Sequence, residues 1–208
     1  MFVIMTVFDS VSPHVALLPG AGGAGEFWEP VADRLPRHWP RTLFSWPGAG
    51  EQPHDPAVRG YADLIERTAD ALPEGSDLVA QSMGGVVAIG IALTHPEKVR
   101  RLVLVATSGG VAVGTNAENW RVEYETEFPH AAAWVTHDHV DYTDQIALIT
   151  VPTCLIWGNA DPVSPIDVGK CLRRTLPHSS LYVLHGGTHS LGYDRPDEVA
   201  PLIVQHLR

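Results

Sequence analysis

Short apolar, β-branched runs alternate along this chain with longer stretches whose apolar positions recur at helical spacing. Phe2–Phe8, His14–Leu18, Arg41–Ser45, Leu78–Ala80, Leu102–Ala106, Thr153–Trp157 and Ser180–Leu184 read as strands. Trp28–Leu35, Tyr61–Leu72, Gly84–His95, Pro165–Thr175 and Pro196–Leu207 read as helices. A run such as Leu102-Val103-Leu104-Val105 has no polar alternation, which predicts a strand buried on both faces. Strands of that kind alternating with helices predict the α/β class: a mostly parallel, doubly wound sheet with helices on both faces. From Gly109 to about Thr150 the rhythm breaks. That stretch carries Trp120, Tyr124, Phe128, Trp134 and Tyr142 and predicts a short, partly helical lid insertion at about 110–150, within a single domain spanning 1–208.

Composition narrows the function classes. A chain of 208 residues with 45% hydrophobic and 18% charged residues can bury a large core without staples. A formal net charge of −10 argues against nucleic-acid phosphates or anionic membranes as partners. Two cysteines, Cys154 in a strand and Cys171 in a helix, make no disulfide framework. The apolar start Met1–Thr6 has no basic segment before it and no small-residue cleavage site, and no run reaches membrane-span length. A cytoplasmic protein is expected.

The chemistry gathers at strand ends, where sheets of this class bind ligands. His14–Leu18 runs into Pro19-Gly20-Ala21-Gly22-Gly23-Ala24-Gly25, and Leu78–Ala80 into Gln81-Ser82-Met83-Gly84-Gly85. Thr153–Trp157 runs into Gly158-Asn159-Ala160-Asp161-Pro162-Val163, and Ser180–Leu184 into His185-Gly186-Gly187-Thr188-His189. Ser82, two residues before a glycine at a strand-to-helix junction, fits a nucleophile elbow, with Ala80 in place of its first glycine. A serine hydroxyl needs a base, for which His189 is the candidate, and the base needs an orienting acid, for which Asp161 is. The order Ser, Asp, His is that of a hydrolase triad. His185, Asp167 and Asp194 are weaker stand-ins. The backbone N–H groups of Ala21 and Met83 are the candidate oxyanion donors, and Trp120, Tyr124, Phe128 and Trp134 are the candidate acyl-pocket residues. Two rival readings use other residues. Gly20–Gly25 matches the dinucleotide fingerprint G-x-G-x-x-G, but the next strand ends in Ser45-Trp46-Pro47 without the acid that would hold a ribose. His137-Asp138-His139 with Asp141 could suggest a metal site, but their spacing fits no structural zinc.

The run from Leu78-Val79-Ala80-Gln81-Ser82-Met83-Gly84-Gly85 through Thr94-His95-Pro96-Glu97 to Leu102–Ala106 resembles the α/β-hydrolase fold superfamily. It is similar to the small esterases of the pimeloyl-ACP methyl ester esterase and carbon–carbon-bond hydrolase kind. Trp157–Val163 resembles their acid loop, Gly186–His189 their histidine loop, and Phe44–Gly50 imperfectly their D-x-P-G-H-G turn. The resemblance implies a serine hydrolase cleaving a carboxylic ester, thioester or lactone through an acyl-enzyme on Ser82, with no cofactor and a small-molecule ester as partner. Carbon–carbon cleavage and a hydrolase-fold receptor with little turnover are alternatives. Such relatives usually carry His-Gly where this chain has Pro19-Gly20, so its oxyanion loop must be braced differently.

Overall fold

The structure is a computed structural model describing residues 12–111 and 117–208. The predicted strand Phe2–Phe8 lies outside them. Six parallel strands form one sheet: β1 (Val15–Leu18), β2 (Arg41–Leu43), β3 (Ser76–Gln81), β4 (Val99–Val105), β5 (Thr153–Gly158) and β6 (Ser179–Leu184), in the order β2-β1-β3-β4-β5-β6. Among the described residues, five helices have ten residues or more. They are α1 (Tyr61–Ala71), α2 (Met83–Thr94), α3 (Ala117–Glu127), α4 (Ile166–Thr175) and α5 (Pro196–Leu207).

Alternation along each strand sorts side chains into two cores. Ala16, Leu18, Leu78, Ala80, Leu102 and Leu104 face α1, α2 and α4, where Leu64, Val87, Ile91 and Leu172 cover them. Val15, Leu17, Val79, Val103 and Val105 face the other way, onto Trp28, Val31 and α5 through Val199 and Ile203. Both faces of β1, β3 and β4 are thereby covered, the physical content of their unbroken apolar runs. Helix α2 is buried from Met83 to Ala92, so no polar stripe marks it in the sequence.

Several boundaries moved. β4 starts at Val99 and takes in Arg100 and Arg101, whose guanidinium groups donate to the Leu207 and His206 carbonyls at the end of α5, both at 2.8 Å. The β3–β4 register shifts at these charged residues: Ser76 pairs with Val99 and Asp77 with Arg101, so Arg100 sits in a bulge. The predicted helix Trp28–Leu35 is a short 3₁₀ turn, Gly25–Trp28, followed by one helical turn, Glu29–Ala32. Burial pushes the Cys154 thiol up to about 12, and both cysteines are free. Among the described residues, no helix is long and apolar enough to cross a membrane.

Candidate active site

The strand order reverses between β1 and β3, leaving a crevice at their carboxyl ends where doubly wound sheets take ligands. The glycine loop after β1 and Ser82 after β3 stand on either side of it. Ser82 has φ 52° and ψ −120°, a conformation L-residues rarely adopt. Its surroundings hold it there. Its N–H donates to the Val105 carbonyl at 3.1 Å, and its own carbonyl accepts from the Thr107 hydroxyl at 2.5 Å. A Cβ on Gly84 would lie 2.5 Å from the Leu18 and Pro19 carbonyl oxygens, so glycine is what lets α2 start this close to β1. Ala80 is fully buried in register between Leu18 and Leu104, and its methyl fits the first small position of the elbow.

Three predicted residues meet here. His189 Nε2 lies 2.9 Å from Ser82 Oγ, and His189 Nδ1 lies 2.9 Å from Asp161 Oδ2. A carboxylate only accepts, so Nδ1 carries the proton and Nε2 accepts from the serine hydroxyl. The Asp161 side chain is 0% exposed and that of His189 is 23% exposed: the acid is shut away from water while the imidazole edge reaches the cavity. The other Asp161 oxygen accepts from the N–H groups of Val163 (2.8 Å) and Ser164 (2.9 Å). The Ser164 hydroxyl donates to the Thr107 carbonyl at 2.9 Å, so one chain of hydrogen bonds joins the acid loop to the serine turn through Thr107. Gln81 Nε2 donates to the His189 carbonyl at 3.2 Å.

The Ala21 and Met83 N–H groups have no hydrogen-bond partner among the described residues, and both residues line the cavity beside Ser82. The loop is braced from behind. Trp46 Nε1 donates to the Pro19 carbonyl at 2.8 Å, Trp46 N–H donates to the Gly23 carbonyl at 2.8 Å, and the Tyr124 hydroxyl donates to the Ala21 carbonyl at 2.9 Å. Nothing in the sequence signals Thr107, Ser164, Gln81 or Trp46 in these roles, because each acts on a residue distant in the chain or through its backbone.

The cavity has a volume of about 660 Å³. Trp120, Tyr124 and Phe128 line it, as do Val86, Val111 and Val168. Trp134 lies outside its wall: the ring is buried edge-on against Tyr61, centroids 6.0 Å apart, and docks the segment on α1. Asp138 also faces the cavity, but its Oδ2 accepts the Tyr61 N–H at 2.6 Å and so caps α1. His185 and Asp194 are exposed, and Asp167 pairs with Lys170 at 3.0 Å, all apart from the serine. Of the Gly20–Gly25 run, Gly20, Gly22 and Gly23 line the same cavity as Ser82, while Gly25 donates to Ser45 Oγ at 3.0 Å.

A profile of the α/β-hydrolase fold family matches residues 13–139. A pimeloyl-[acyl-carrier protein] methyl ester esterase from Pseudoalteromonas atlantica is 39% identical over 211 positions, covering 79% of this chain and 82% of its own length. A second enzyme of that name, from Yersinia pseudotuberculosis, is 25% identical and covers 91% of both chains. Among solved structures, a thermophilic esterase from Thermogutta terrifontis superposes with a TM-score of 0.79 at 19% identity, covering 94% of this chain and 89% of that one.

Proposed function

The chain belongs to the α/β-hydrolase fold family, and on that premise we propose that it is a serine carboxylester hydrolase working through an acyl-enzyme on Ser82. The observation that carries the reading is the pair of 2.9 Å contacts joining Ser82 to His189 and His189 to Asp161 at the wall of the cavity. In the proposed reaction the Ser82 hydroxyl attacks the ester carbonyl while His189 Nε2 takes its proton. Buried Asp161 fixes the tautomer and stabilises the imidazolium. The tetrahedral oxyanion sits between the Ala21 and Met83 N–H groups; losing one such donor typically costs about 2.7–4 kcal/mol of transition-state stabilisation. The imidazolium returns the proton to the departing alkoxide as the carbon–oxygen bond breaks. Water, deprotonated by His189, then attacks the acyl-enzyme, and the acid leaves with Ser82 restored.

The cavity is within the size range of small-molecule sites. With Trp120, Phe128 and Val168 on its wall, it suits an aliphatic acyl chain of short to medium length. Two relatives are named for a methyl ester, so a small leaving alcohol is proposed. A panel of p-nitrophenyl esters from acetyl to dodecanoyl, run on wild type and Ser82→Ala, tests the reading. Turnover is expected to peak at short to medium chains and to vanish in the variant. Turnover retained in Ser82→Ala would end the nucleophile assignment.

A further inference from the structure

Pro19, before the first glycine of the loop, has neither an N–H nor a side-chain donor with which to brace it. Two backbone segments meet behind Ala21: the glycine loop, and the turn Trp46–Gly50. A Cβ on Gly23 would lie 2.5 Å from the Ala49 carbonyl oxygen, so the two segments touch backbone to backbone. At that junction the Tyr124 hydroxyl accepts the Gly50 N–H at 2.6 Å and donates to the Ala21 carbonyl at 2.9 Å. One phenol thus uses its single proton on one segment and a lone pair on the other. Tyr124 belongs to α3, in the segment between β4 and β5, and its ring packs on Trp120 and Phe128.

We propose that Tyr124 is a positioning residue for the oxyanion loop: its hydroxyl fixes the Ala21 peptide so that the N–H on the opposite side of the residue aims at the developing oxyanion. The proposal rests on the hydrolase reading above. It makes α3 part of the machinery that stabilises the transition state, beyond covering the acyl chain. Burial raises the Tyr124 phenol above its ordinary pKa, so the hydroxyl keeps the proton it donates.

Tyr124→Phe keeps the ring and removes only the hydroxyl. In p-nitrophenyl butyrate hydrolysis, kcat is expected to fall about 10- to 100-fold, short of the 10²–10³-fold loss of a whole oxyanion donor. KM should stay within about twofold, as expected for an interaction made only in the transition state. A trifluoromethyl ketone, which forms an oxyanion adduct on the serine, should bind weaker by the same factor as kcat, while the product acid binds as before. An unchanged kcat, or a raised KM at constant kcat, would overturn the proposal and leave Tyr124 a pocket wall. Should the variant not fold, trifluorotyrosine at position 124 carries the test. Its more acidic phenol loses the donor, so kcat should fall as pH rises through that ionisation, and a profile parallel to wild type would overturn the proposal. Ser82→Ala runs alongside. Wild-type turnover that disappears in Ser82→Ala upholds the hydrolase reading whichever way Tyr124 falls. A wild type inert on every ester removes that reading, and the brace with it.

Discussion

At the scale of single residues, the meeting of Ser82, Asp161 and His189, the candidate nucleophile, acid and base, was legible because each follows a strand that the apolar pattern already marks, and because they come in a recognisable order. What was hidden is everything that acts through backbone: the Thr107 hydroxyl on the Ser82 carbonyl, and the Asp161 oxygen spent on two N–H groups. Trp134 looked like Trp120 in the sequence, an aromatic in an unpatterned stretch, and only packing separates the one on the cavity wall from the one buried on Tyr61. Asp161 offers the sharpest residue-scale test. Asp161→Asn keeps the shape but presents an amide to His189 Nδ1, which favours the wrong tautomer. On butyrate esters kcat is expected to drop about 10⁴-fold. A drop under tenfold would remove Asp161 from the relay.

At the scale of elements, α/β alternation is readable from period and run length, and the strand boundaries differ from the predicted ones where polar residues pair inside the sheet. Asp77 in β3 and Arg100 in β4 are the example. Asp77 is fully buried, its Oδ2 is 2.5 Å from an Arg100 nitrogen, and its Oδ1 has no partner among the described residues. Burial pushes the carboxyl up to about 6, with Arg100 offsetting part of that rise. The folded pKa therefore stands above the unfolded value of 3.8, so the folded state holds the proton more tightly between the two. The stability this group contributes is full below about pH 4 and is lost as pH rises to about 6, a change on the order of 1–3 kcal/mol. Urea unfolding of wild type and Asp77→Asn at both ends of that window reads it directly. The wild type is expected to lose stability relative to the variant as pH rises. A constant or opposite difference would mean that Asp77 is ionised throughout.

At the scale of the whole molecule, β2-β1-β3-β4-β5-β6 order, a crevice at the reversal and three side chains from three strand ends make one site. The sequence pattern pointed to the strand ends. It carried no sign of how the segment between β4 and β5 folds back, because its contacts run through Tyr124, Asp138 and the Ala132 N–H, which donates to the Gly48 carbonyl at 2.6 Å. These tie α3 and the turn after it to the glycine loop, to α1 and to the Trp46–Gly50 turn at once. The central claim is that this assembly makes one hydroxyl reactive. Mass spectrometry of the whole protein after a fluorophosphonate probe, with the adduct mapped by peptide, tests it most directly. One adduct per chain, on Ser82, absent in Ser82→Ala and lost in His189→Ala, is the expected result. A wild type that stays unmodified, or an adduct on any other residue, would contradict it.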